Sequence, residues 1–227
     1  GPYREVALFY EAKSSLRVGL ENARADGLQL LKKVASGGGP LAEEARLQLG
    51  RAYIDITELD KALAELAPLL DPKAGSSSRV DALLLAAEAH RALRKDSHLD
   101  ECLKIYDGLL ADPDLPYALN NQVHCLKGET LEQLGQPGAA LDAYYRVITG
   151  GNLRKGEPIT EWKWFYKCGF SALRLLEDSK RWRSAFRVAV ILRDAQGSAW
   201  AKAGLRADKL QLEHQIWDEP GPEPVRE

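Results

Sequence analysis

The residues whose chemistry could set a function are few: four histidines, His90, His98, His124 and His214, and three cysteines, Cys102, Cys125 and Cys168. The one suggestive spacing is His98 with Cys102, one helical turn apart on a common face. Two ligands do not hold a zinc ion, because a structural site takes four and a catalytic site usually three from the protein. The simpler account is a helix start beside a small packing cysteine. The cysteines are widely spaced and odd in number, which argues for packing residues and against a disulfide framework. The sequence contains no C-x-x-C, no H-E-x-x-H, no phosphate-cradling glycine loop with a lysine and no G-x-S-x-G. Gly37-Gly38-Gly39 runs into Pro40 and the acidic turn Glu43-Glu44, where an incoming phosphate would meet carboxylates instead of backbone donors. Acid pairs at Glu43-Glu44 and Asp100-Glu101 fall at helix starts, where they complement the helix dipole by roughly 0.3–1 kcal/mol each. The expectation is therefore no enzyme, no cofactor and no metal.

The densest unusual feature is Glu161-Trp162-Lys163-Trp164-Phe165-Tyr166-Lys167. On a helix Trp162, Phe165, Tyr166 and Gly169 share a face while Trp164 points elsewhere, so the rings exceed what one stripe can bury. One account is a bulky core. The other makes Trp162, Trp164 and Tyr166 candidates for contact with a partner, since tryptophan and tyrosine are enriched in binding hot spots. Arg154, Lys155, Lys163 and Lys167 could serve phosphates beside stacking rings. However, 31 basic and 33 acidic residues leave a formal charge of -2, with no bulk attraction to nucleic acid or an anionic membrane. No nucleic-acid partner is expected. The longest apolar stretches, Ala82 to Ala87 and Val188 to Leu192, fall far short of the roughly 18–20 residues of a membrane span.

Which elements position these residues follows from patterning. The 227 residues are 45% hydrophobic and 28% charged, ordinary for a folded soluble protein. Breaker clusters fall at Gly37 to Pro40, Asp71 to Ser78, Asp112 to Pro116, Gly135 to Gly138, Gly150 to Pro158 and near Gly197. Between them apolar residues recur at three and four positions, as in Leu59, Leu63, Leu66 and Leu70, which predicts helices with one buried stripe and no strands.

The blocks between breakers resemble one another. Leu49-Gly50, Tyr53, Ala62, Leu66 and Leu69 recur at identical intervals as Lys127-Gly128, Leu131, Ala140, Tyr144 and Val147. This resembles the tetratricopeptide (TPR) repeat, in which a small residue on the first helix admits the second helix and a small residue twelve positions on seats it. Two further blocks match with extra residues: Ala87 and His90 lead to Cys102, Tyr106 and Leu109, and Ala172 and Leu175 lead to Ala185, Val188 and Ile191. The interval is about 40 residues against the family's 34, so the resemblance is to a degenerate array with long connectors over residues 41–195.

The resemblance implies an all-α solenoid of antiparallel helix pairs in a right-handed superhelix, with four to five pairs. Residues 3–36 are expected to supply one pair turning near Gly19 to Asp26, with one long bent helix as the alternative. Trp200, Leu205, Leu210, Leu212 and Trp217 mark a terminal helix that should cap the last apolar face. The expected organisation is a tag remnant at 1–2, one repeat domain over 3–217 and a disordered Pro/Glu tail over 218–227.

The resemblance also implies that first helices line a concave groove. Transferred position by position, the groove residues are Glu44, Leu47, Arg51, Ile54 and Asp55, then Gln122, Cys125, Glu129, Glu132 and Gln133. The lysine and asparagine clamp with which chaperone-tail-binding members hold a terminal carboxylate is not reproduced by Leu47 and Arg51 or by Cys125 and Glu129. The implied function is a scaffold that binds another protein or peptide. A self-assembly module is the alternative, and a ligand-binding or catalytic helical domain comes third; the oligomeric state is open. The frequency of such arrays in bacterial envelope proteins points to the envelope or periplasm, with the cytoplasm as the alternative.

Overall fold

The computed structural model describes residues 2–18, 20–150 and 162–217. Of the features read from the sequence, Gly1, Gly19, Arg154, Lys155, Glu161 and the tail from Asp218 to Glu227 lie outside the described residues. The described residues are 81% helical and contain no strand. Eleven α-helices follow in order: α1 (Pro2–Arg17), α2 (Glu21–Ser36), α3 (Ala42–Asp55), α4 (Leu59–Leu70), α5 (Arg79–Leu93), α6 (Asp96–Leu110), α7 (Tyr117–Gln133), α8 (Pro137–Ile148), α9 (Trp162–Asp178), α10 (Trp182–Asp194) and α11 (Trp200–His214). The N-terminal segment is thus a pair, as expected, and not one bent helix.

The chain forms two compact units, Gly1–Ile105 and Tyr106–Glu227. In the first, α1 to α4 each pack on the next helix, and α3 also touches α5. In the second, α7 to α10 do the same, and α7 also touches α9. Contacts between successive helices, together with contacts between alternate first helices, are the packing of a helical repeat solenoid.

Three pairs turn by one shared device. Thr57, Gly135 and Lys180 adopt left-handed backbone, with φ of 61°, 69° and 60°. The residue that follows each donates its N–H back to a first-helix carbonyl: Glu58 to Tyr53, Gln136 to Leu131 and Arg181 to Leu176. These bonds satisfy carbonyls that the helix end would otherwise orphan. They also correct the register of the last block. The equivalents of Gly50, Tyr53, Ala62 and Leu66 in that block are Leu173, Leu176, Ala185 and Ala189, with no extra residue. Ala172 and Leu175 are offset by one position.

With that register the size pattern becomes clear. A Cβ placed on Gly50 would lie 2.7 Å from Leu66, and one on Gly128 only 2.3 Å from the Tyr144 ring. In the α9–α10 pair the sizes are exchanged, with Leu173 on the first helix and Ala189 on the second, both buried. A second close approach one turn earlier comes from Gly169, whose added Cβ would meet Leu192 at 2.2 Å. Tyr106, Leu109, Ala62, Leu66, Leu69, Ala140, Val147, Ala185 and Val188 are all buried as the pattern requires. Ile191 is only half-buried.

All three cysteines are buried and free. Cys102 Sγ donates to the Ala87 carbonyl at 3.1 Å, tying α6 to α5, and burial pushes its thiol up to about 11. Cys168 is buried against Cys125, and burial likewise raises its pKa. A cysteine that stays protonated behaves as a small apolar residue, which is the packing role expected of it.

Gly128→Ala is expected to destabilise the protein by about 1–3 kcal/mol, because even one methyl must displace the Tyr144 ring. Gly108, inside α6, has open space where a Cβ would go. Gly108→Ala should therefore stabilise by about 0.5–1 kcal/mol through helix propensity. Urea unfolding of both variants checks this; a neutral Gly128→Ala would refute the close approach.

Candidate functional site

In the first unit the open faces of α1, α2 and α3 enclose a groove of about 420 Å³ lined by Lys13, Leu16, Arg17, Arg24, Gln48, Arg51, Ala52, Asp55 and Ile56. Each helix contributes through spacing. Lys13 and Arg17 are one turn apart on α1, Arg51 and Asp55 one turn apart on α3, so each pair projects from one face. Beneath them the opposite faces are locked by a core of Phe9, Ala12, Leu31, Val34, Ala45, Leu49 and Tyr53. Gly27 brings α2 onto α1, an added Cβ there lying 3.0 Å from the Ala12 carbonyl.

Four cations and one carboxylate therefore share this groove. Lys13 lies over the Phe9 ring at 5.5 Å. Among the described residues, no ion pair joins Arg17, Arg24 or Arg51 to a carboxylate. The neighbouring acid on α3, Glu44, is held by Gln48 at 2.7 Å. An excess of unneutralised guanidinium groups around a concave surface is suited to an anionic ligand, since arginine offers planar paired donors to carboxylates.

Of the residues predicted for the groove, Arg51 and Asp55 line it. Leu47 and Cys125 are buried in the core and line no surface, and Ile54 is half-buried. Lys13, Arg17 and Arg24 escaped the sequence argument. The α1–α2 block lacks the Leu-Gly and Ala landmarks from which positions were transferred. For Lys13 and Arg17 the one-turn spacing on α1 was the available signal.

In the second unit the predicted acids are engaged. Glu129 of α7 pairs with Lys167 of α9 at 2.5 Å. Glu132 accepts from the Tyr144 hydroxyl at 2.7 Å and from Arg174 of α9. The bonds from Lys167 and Arg174 bind the first helices of adjacent pairs to each other. Gln122 is half-buried on α7, and Gln133 is exposed at its C-terminal end.

The aromatic block divides between core and partly covered surface. Tyr166 is core, 5% exposed, and its hydroxyl is fully used: it donates to the Leu192 carbonyl at 3.1 Å and accepts from the Gly197 N–H at 2.9 Å. Burial raises its pKa. Trp162 is half-buried; its ring covers Gly197 and meets Phe165 edge-on at 5.8 Å. Trp164 is also half-buried, with the ammonium groups of Lys163 and Lys167 at 4.6 and 5.3 Å from its ring centre. Lys167 thus links Trp164 to Glu129. The structure brings Trp164 and Glu129 together through Lys167, holds Glu132 further along α9 at Arg174, and sets Trp162 and Tyr166 against the segment after α10.

The histidines fall into three environments. His124 is driven down to about 4, first by burial and then by Lys127 and Arg146. His214 stacks on Trp182 at 3.9 Å. His90 and His98 meet each other, Nδ1 to Nδ1 at 2.9 Å. Among the described residues no group of three or more metal-ligating side chains is assembled, and no helix is long and apolar enough to cross a membrane.

Trp162→Ala is expected to cost about 2–3 kcal/mol, somewhat under the value for a fully buried ring, because it uncovers Gly197 and Tyr166. Trp164→Ala should cost about 1 kcal/mol, the scale of exposed cation–π contacts. Thermal melts of the two variants decide it, and equal losses would contradict the placement. No family model matches the chain, and a comparison with curated proteins gives no match.

Proposed function

We propose that this protein is a binding scaffold of the tetratricopeptide type, and that the groove of α1, α2 and α3 holds an acidic segment of another polypeptide. The observation that carries the proposal is the set of cations that meet no carboxylate partner among the described residues, Arg17, Arg24 and Arg51, beside Lys13, around a groove of about 420 Å³. A surface retaining free guanidinium groups at fixed spacing is preorganised for carboxylates, so little ordering cost falls on binding. Leu16, Ala52 and Ile56 supply apolar floor for a side chain between the acids. The repeat register and the stacked helix pairs support the tetratricopeptide assignment.

A second reading draws on α11. This helix buries Ala203, Ala207 and Leu210, whereas its Leu205, Leu212 and Trp200 are 74%, 70% and 53% exposed and Trp217, just beyond its end, is 70% exposed. The terminal helix was expected to cover the last apolar face with these residues. Instead it presents them, which favours self-association as the alternative function.

A fluorescein-labelled peptide of alternating glutamate and leucine serves as probe. Anisotropy titration should show saturable binding that weakens with salt, and Arg17→Ser with Arg51→Ser should weaken it at least tenfold, about 1.4 kcal/mol. Equal binding by the double variant refutes the groove. Light scattering over a concentration series tests the alternative: a monomer throughout excludes self-assembly.

A further inference from the structure

α11 turns Ala203, Ala207 and Leu210 into the core and presents Ala201, Leu205, Lys209 and Leu212 on the opposite, exposed face. Charge follows a defined order along the same helix. Its first half carries Lys202 and Arg206 and no carboxylate, and the acids Asp208 and Glu213 come only in the second half. Cations near an N-terminus oppose the helix dipole, so this half of α11 is short of negative charge. Beside it α9 and α11 enclose a pocket of about 370 Å³ lined by Phe170, Leu173, Leu205, Lys202, Arg206 and Lys209. Glu177 is the carboxylate among the described lining residues, and it is already bonded to Arg206. Lys202 lies over the Phe170 ring at 4.6 Å and meets no carboxylate among the described residues.

We propose that α11 packs antiparallel on α11 of a second copy, with the two-fold axis passing near Asp208. This dimer presupposes self-association through α11 and adds its register. Leu205 and Leu212 stand three residues before and four after position 208, so Leu205 of each copy meets Leu212 of the other. The Trp200 end of one helix likewise meets the Trp217 end of its counterpart. An antiparallel two-fold sets each flank of the helix against the same flank of the other copy. Lys202 and Glu213 are about three turns apart and share a flank, so Glu213 of the second copy comes beside Lys202. Glu213 is otherwise held by Lys209 at 3.5 Å in an exposed pair, a contact cheap to exchange. Asp208, on the other flank beside the axis, is offset electrostatically by Arg193. A parallel pairing would stack the cationic halves on each other and align the two dipoles, so charge order selects the antiparallel one. Two helices about 22 Å long bury on the order of 1,000 Å², the low end for a specific interface, which makes the dimer reversible at tens of micromolar or so.

Sedimentation velocity of the full chain, from micromolar to submillimolar concentration, should show a monomer–dimer equilibrium. Leu205→Lys should weaken it at least tenfold and Lys202→Glu about threefold; both positions are exposed, and thermal melts check that the monomers stay folded. Disulfide trapping reads the register. Leu205→Cys mixed with Leu212→Cys should cross-link under mild oxidation, whereas each variant alone should not, because like positions are displaced by about 9 and 12 Å along the helix axis. The native cysteines are buried and stay out of the reaction. A monomer at every concentration overturns self-association altogether. A dimer that tolerates Leu205→Lys or Lys202→Glu, a mixture that fails to cross-link, or variants that cross-link with themselves would leave self-association standing and overturn this interface.

Discussion

The contact on which both units depend is the approach of two helices at a position where only one of them carries a large side chain. At Gly50 and Gly128 the first helix presents bare backbone, and Leu66 or Tyr144 from the second fills the space. Interiors pack at crystal-like density, so this volume has to be supplied once and only once. In the α9–α10 pair Leu173 and Ala189 reverse the roles at the same register. The constraint is thus on summed volume at the crossing, and the glycine is one of two ways to meet it.

That crossing sets what the neighbouring surfaces can carry. The Tyr144 ring laid over Gly128 places its hydroxyl on Glu132 at 2.7 Å, and burial together with that carboxylate holds the phenol protonated. Glu132 in turn receives Arg174, and Glu129 receives Lys167, so α7 and α9 are joined by polar contacts that begin at a packing residue. Glu177 and Arg206 repeat the device between α9 and α11. Exposed ion pairs are individually worth little, but here the carboxylate of each pair is partly shielded and Glu132 is held in place by the buried Tyr144, which favours one spacing of adjacent pairs.

Much of the fold was legible because helix periodicity and the Gly–Ala spacing are local consequences of packing. Gly50 with Ala62 and Gly128 with Ala140 could be aligned without any structure. The last pair could not, since at Leu173 and Ala189 the small residue had moved to the other helix and left Ala172 as a decoy one position away. The site was less legible. Arg51 and Asp55 followed from register, but the engagement of Glu129 and Glu132 depends on the positions of Lys167 and Arg174, which no spacing within α7 reveals. Tyr166 shares the composition of a binding anchor and lies in the core, because the segment at Gly197 packs over it and takes its hydroxyl. His90 and His98 are separated in sequence by a turn whose tightness depends on Arg94 accepting positive φ, an uncommon choice for a residue other than glycine or asparagine.

Charge satisfaction then distinguishes surfaces that hold the molecule together from those left available. In the second unit the conspicuous charges on the first helices are spent on one another, so a ligand there would have to break Glu129–Lys167 or Glu132–Arg174 before gaining anything. In the first unit Arg17, Arg24 and Arg51 have no such partner among the described residues, and their mutual repulsion is a cost the folded state carries in the absence of ligand. An anion entering the groove removes that repulsion and adds its own hydrogen bonds, so its binding is linked to the stability of α1, α2 and α3 as a unit. The same linkage requires that loss of positive charge in the groove raise stability while lowering affinity, the opposite of what a structural ion-pair residue does.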